Sequence, residues 1–253
     1  EAKLAAIFHF LWDDGILDNP DGATYLGDAR GQDLLTDYSL AAIERRKKLL
    51  HCSRELLLTV NRARLEKPSD KLDYDLFLRS IDEGLEGQKF PSELLVVDQM
   101  GGPHQGFPQL LLAMRTGSRK DYENRLARLE RAPEWVSHFI RLLQEGLARG
   151  VTPPRSTLVG IPKHIEPILD PDPAKNPIMR AFDDMPSSIA KDEQERIRAR
   201  ALELLRKKVI PAFKSYRDYI AGPYIGGARD SIAFSLMPNG IEWYAYLVRS
   251  HTS

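Results

Sequence analysis

The sequence is short of nearly everything that announces a function. It holds one cysteine, Cys52, in 253 residues, so no internal disulfide can form and cysteine usage is silent about redox compartment. Its 36 basic and 36 acidic residues cancel, which removes the usual electrostatic argument for nucleic acid or an anionic membrane as partner. No apolar run approaches the roughly 20 residues of a membrane-spanning helix, so no span is expected. The six histidines, His9, His51, His104, His138, His164 and His251, are scattered, none is followed by Glu, and no two lie three to five residues apart. A helical zinc site needs two such His on one face with a carboxylate between them to activate water. No metal ligand or cofactor is therefore expected in this chain. A repeat of solenoid period is missing as well.

What is present is helix. Leu4, Ile7, Phe8 and Leu11 recur at helical spacing from Ala2 to Trp12, whereas Ile16 to Gln32, with Pro20, Gly22, Gly27 and Gly31, reads as loop. Ser39 is placed to cap a helix running to about Lys67, with Leu40, Ile43, Leu50, Leu57 and Leu65 among its apolar positions. Pro68-Ser69-Asp70 opens another, with Leu72, Leu76, Ile81 and Leu85 expected inward. Ser118 caps Arg119 to Arg131, and Pro133 begins a further helix carrying Trp135, Phe139, Leu142, Leu143 and Leu147 until Gly150. Eight prolines between Thr152 and Pro186 forbid long regular structure there, but interspersed Ile161, Ile165, Ile168 and Leu169 predict packed irregular chain with short helices. Ala190 to Ala221 reads as one long helix, acids early and bases late, that Pro211 kinks or divides. The expected fold class is mainly α, a multi-helix bundle-like array with long irregular Pro-rich connections. Residues 1–253 read as one helical region, any internal division falling near 152–186.

Most polar features have bland explanations. Arg196, Arg198, Arg200, Arg206, Lys207 and Lys208 alternate with acids and apolar residues, which describes a solvated helix face. Asp13-Asp14, Asp183-Asp184 and Asp170 with Asp172 lack the Gly and Glu pattern of a calcium loop. Cys52, mid-helix beside leucines, reads as a buried structural thiol.

Two stretches carry candidate chemistry. Gly101-Gly102-Pro103-His104 describes a tight turn between apolar helical runs, with Asp98 and Gln99 just before it. His104 could line a substrate cleft and Gln99 could hold a substrate backbone through its amide; both could equally be tying a turn together. After the Pro238-Asn239-Gly240 turn come Trp243, Tyr244, Tyr246, Arg249 and His251 within nine residues. Tyr244, Tyr246 and His251 are candidate stabilisers of a developing oxyanion. Trp243 and Arg249 are candidate substrate contacts, the guanidinium through a bidentate fork to a carboxylate. The competing reading puts Tyr244, Leu247, Val248 and His251 on one packed helical face.

The same segments carry a resemblance. Tyr25-Leu26-Gly27, Leu35-Thr36-Asp37-Tyr38-Ser39-Leu40-Ala41-Ala42, Leu72-Asp73-Tyr74-Asp75-Leu76, the run from Phe90 to His104, Asp121-Tyr122-Glu123-Asn124-Arg125-Leu126-Ala127-Arg128-Leu129, Gly146 to Arg155, Ala199 to Leu202, Val209 to Phe213 and Leu236 to Arg249 resemble, in order and spacing, the bacterial domain of unknown function 885 family. Its members look like zinc metallopeptidases, are about twice as long, and carry a His-Glu-x-x-x-x-His-like segment in their second half. The resemblance therefore implies the N-terminal, cleft-forming half of such a protein. It implies a peptide substrate, zinc held by the missing C-terminal half, and inactivity of this chain alone. It also implies a periplasmic or exported location, with cytoplasm left open; no signal peptide is seen, but in a chain that begins at Glu1 without Met that absence says little. A non-catalytic helical binding or scaffold module is the alternative.

Overall fold

The computed structural model describes residues 1–252 and contains helices joined by turns, with no strand among the described residues. In chain order the α-helices are α1 (Ala2–Asp18), α2 (Pro20–Tyr25), α3 (Leu40–Leu58), α4 (Pro68–Gly87), α5 (Pro103–Ala113), α6 (Arg119–Ala148), α7 (Arg155–Leu158), α8 (Ile161–Leu169), α9 (Lys191–Leu204), α10 (Ile210–Tyr219), α11 (Ile225–Gly227) and α12 (Gly240–His251). The mainly α, bundle-like expectation holds. The chain divides into two compact units, one of residues 1–15, 40–93 and 233–253, the other of residues 16–39 and 94–232. The Pro-rich segment 152–186 lies inside the second unit, so the division is made by chain crossings elsewhere.

The first unit is built on α1, α3, α4 and α12. Leu4, Ile7, Leu57, Val60, Leu65, Tyr74 and Ile81 form its core, with Phe8 and Phe77 edge to face at 5.1 Å. Three sequence expectations fail here. α3 stops at Leu58 instead of continuing to Lys67, because Asn61 accepts from the Ala63 N–H and starts a 3-10 turn. Leu72 and Leu76 are 57% and 56% exposed, since Tyr74 and Ile81 take the buried stripe of α4 instead. Cys52 is also exposed, not a buried thiol.

The second unit is organised by the 30-residue α6. Ser118 and Asp121 close a reciprocal capping box at its start. Pro133 neither ends nor begins a helix. Leu129, Ala132, Trp135, Val136, Phe139, Leu142 and Leu143 are all buried along one continuous stripe, and that burial outweighs the roughly 3 kcal/mol cost of an interior proline. The segment 16–32 is not loop throughout: α1 runs to Asp18, and Asn19 caps α2 by accepting from Gly22 N–H, with Pro20 at the first helical position. The long helical run expected over 190–221 is present and is divided just before Pro211, α9 and α10 being joined by a π-turn at Leu205–Val209. That widened turn makes room for Pro211, whose ring would otherwise meet the carbonyl four residues earlier. A second π-turn, Ile220–Tyr224, contains Pro223. The 152–186 region holds α7, α8 and a 3-10 turn at Met179–Phe182, the short-helix character its composition predicts.

Buried arginines hold this unit's loops. Arg128 is fully buried and donates to Leu34 O at 2.8 Å, Pro20 O at 3.2 Å and Thr24 Oγ1 at 2.8 Å. Burial lowers its guanidinium to about 10, opposed by the nearby Asp21 and Asp33 charges. Asp21 in turn exchanges hydrogen bonds with Thr36, and its burial raises the carboxyl above its ordinary value. Arg125 donates to Met114 O at 2.9 Å and to Ala181 O.

Candidate functional site

α12 lies against α4 in the first unit, and the contact is made by a glycine. Gly87 has no Cβ, and one added there would sit 2.5 Å from the Tyr246 hydroxyl. That clearance lets the phenol reach back and donate to Glu83 O at 3.1 Å. Behind it Trp243, 2% exposed, stacks on Phe90 at 5.6 Å and meets Phe234 edge to face at 5.2 Å. The helix start is fixed by Asn239 in the left-handed conformation at φ 55°.

Beside these contacts is an open concavity of about 350 Å³ lined by Lys47, Gln88, Glu93, Tyr246, Ser250 and His251 among others. Its floor is polar and ordered. Lys47 pairs with Glu93 at 2.7 Å and Glu44 at 3.1 Å, while Gln88 donates to Lys47 O at 3.1 Å. Burial alone would lower the ammonium, but the hydrogen bonds from Lys47 to its two carboxylates outweigh it and hold Lys47 above its ordinary value. At the rim, His251 Nδ1 lies 3.0 Å from Leu247 O and 2.9 Å from Ser250 Oγ.

The candidate residues of α12 thus divide by environment. Trp243 is 2% exposed and packed in the core, where it backs the concavity. Tyr246 has already given its one proton to Glu83, so it works as a strut between helices and not as a free donor. Arg249 pairs with Glu86 at 2.6 Å at the surface. Tyr244, 58% exposed, and His251, also exposed, remain available to a ligand. The packed-face reading of Tyr244, Leu247, Val248 and His251 does not describe the helix either, since Val248 is 42% exposed and packing falls to Trp243 and Tyr246.

The other two candidates belong to the second unit. Asp98 accepts from the Met100 and Gly101 N–H groups, an Asx-type turn that leaves Gln99 exposed. His104 is not on a loop edge: Pro103 starts α5, and the imidazole is 3% exposed. Gly102 at φ 155° makes room for it, because a Cβ there would come within 3.1 Å of the ring.

Sequence reasoning missed Lys47, Gln88 and Glu93. They reach α12 only through folding, and the sole local hint was the glycine pair Gly84 and Gly87 inside a helix. Among the described residues no three His, Cys, Asp or Glu side chains stand close enough to hold a metal ion. The residues present therefore do not fit a catalytic zinc. Among the described residues no helix is long and apolar enough to cross a membrane.

Three comparisons bear on this arrangement. The family described as "Bacterial protein of unknown function (DUF885)" matches residues 20–253. No curated protein matches the chain. Among solved structures, one described as "the putative lipoprotein from Colwellia psychrerythraea" superposes with a TM-score of 0.86 at 14% identity, over 97% of this chain and 45% of that one. The likeness is one of fold, and the chain spans less than half the length of that protein.

Proposed function

The chain belongs to the DUF885 family of bacterial proteins, and from that premise we propose that it forms the substrate-binding wall of a zinc-dependent peptidase. Zinc, which the family resemblance implies, would be held by polypeptide beyond these residues and would supply a polarised carbonyl and an activated water there. The residues of this chain bind and orient. The observation that carries the reading is the concavity between α4 and α12, with an exposed imidazole at its rim and a braced polar floor. Such a surface accepts a peptide backbone: His251 and Ser250 offer donors and acceptors and Lys47 is held in one place by its carboxylates, while Tyr244, exposed elsewhere on α12, adds a phenol and an apolar ring face outside the concavity. Tyr246 lines the concavity and braces α12 against α4 through its hydrogen bond to Glu83 O. Export follows as the proposed location, from the lipoprotein description of the structural neighbour.

The test uses the longest natural form of the protein in a peptide-hydrolysis assay. His251→Ala and Tyr244→Phe should lower kcat/KM by about 10- to 100-fold while leaving the melting curve unchanged, because both side chains are exposed. Peptide binding without hydrolysis would support a non-catalytic binding module in place of the enzyme. Hydrolysis indifferent to both substitutions would remove α12 from the cleft.

A further inference from the structure

His104 sits in the second unit with a chemical problem unsolved. Both its ring nitrogens are buried, and neither has a hydrogen-bond partner within the chain. Leaving buried polar groups unpaired costs on the order of 1–3 kcal/mol each, so something outside the polypeptide is expected to meet them. Burial, reinforced by the charge of His164, lowers its pKa to about 4. The ring is therefore neutral at ordinary pH, with a lone pair to give.

The nearest chemistry is a second imidazole. His164 on α8 faces His104 on α5 with ring centroids 6.4 Å apart and planes inclined by 27°. That is a loose stacking distance, and stacking leaves the ring nitrogens of His104 without partners. It does match two imidazoles on opposite sides of one ion: about 2 Å from metal to nitrogen and about 1.1 Å from nitrogen to ring centre on each side put the centroids about 6.3 Å apart when the nitrogens lie trans, against about 5 Å in a tetrahedral site. His164 is exposed, which gives an ion a path in from solvent on that side of the pair. The two residues are 60 positions apart in sequence and are joined only by the fold. Imidazole donors without thiolates or carboxylates suit the late first-row ions, copper above zinc by intrinsic affinity.

We propose that His104 and His164 form a two-imidazole site for a late transition-metal ion, copper(II) ahead of zinc because trans nitrogens suit a tetragonal ion. The site is separate from any catalytic zinc and does not depend on the peptidase reading. With only two protein ligands it is an exchangeable site, filled according to metal supply.

The experiment is titration of chelator-stripped protein, in its longest natural form, with copper(II) alone. It is followed by electron paramagnetic resonance on wild type and on His164→Ala. His164 is exposed, so its replacement leaves the fold intact, checked by circular dichroism. Wild type should bind one more copper per chain than the variant, and the difference spectrum should show two coupled nitrogens. Affinity at this position should fall at least about tenfold in the variant. His104→Gln should give the same loss, which separates the pair from adventitious binding at His164. Equal copper counts and spectra in wild type and His164→Ala would overturn the proposal, and so would loss in His164→Ala but not in His104→Gln. In either case the partner of His104 would be water.

Discussion

The two units solve the same problem with different materials. The first packs an apolar and aromatic core and places its charges outside, as in Arg54 with Asp82, Arg79 with Glu83 and Arg249 with Glu86. The second draws guanidinium groups inside and uses them to hold loop carbonyls, with Asp21, Thr24, Gln32 and Thr36 in the same buried network. Surface charges can be removed with little consequence, because water replaces each lost partner. A buried guanidinium cannot, because its partners have nothing else to bond. Electrostatics should therefore be cheap to disturb in one unit and costly in the other.

The sharpest way to break that contrast is Arg128→Leu. It strands Leu34 O, Pro20 O and Thr24 Oγ1 and takes the nearby charge from Asp21. Equilibrium unfolding in urea should show a loss of about 3–5 kcal/mol, and Arg128→Lys should recover little, because one ammonium cannot span the same acceptors.

Next in size is acid. The fold holds His104 at about 4 against 6.5 for an ordinary imidazole. As pH falls, the unfolded chain takes up the proton first. Stability is therefore full above about 6.5 and is lost progressively down to about 4, by up to about 3 kcal/mol. Urea unfolding across that range should show this slope in wild type and a correspondingly smaller one in His104→Gln.

In the first unit the largest effect should be steric. Gly87→Ala pushes a methyl into the Tyr246 hydroxyl and should cost about 1–3 kcal/mol. In a Tyr246→Phe background the same change should be near neutral, since the closest contact is gone and alanine favours helix by up to about 1 kcal/mol. A double-mutant cycle measures the coupling. Smallest of all, Arg79→Ala removes a pair whose side chains are 59% and 41% exposed. It should cost no more than about 0.5 kcal/mol and nothing measurable at 1 M salt.

The contrast also explains what could be read in the sequence. Helix content was legible because apolar spacing and caps are local: Ser118 starts α6 as expected. Boundaries failed where a distant contact outweighed a local signal. Pro133 is carried through a helix by a buried stripe, and Leu72 and Leu76 lost the inside of α4 to Tyr74 and Ile81, whereas Pro211 divides its helix where expected, through a π-turn. At the candidate site, α12 was visible as one aromatic cluster, but its sorting into core, strut and exposed groups depends on Phe90, Glu83 and Gly87, more than 150 residues earlier. The partnership of His104 with His164 leaves no trace in sequence spacing.

The most direct test of the central claim is zinc content measured together with peptide hydrolysis, on the longest natural form and its His164→Ala variant, with and without chelator. The α12 surface as a peptidase wall predicts about one zinc retained in the variant, hydrolysis by both proteins, and loss of activity when the metal is stripped. A protein that cleaves no peptide, or cleaves at full rate without metal, would contradict it.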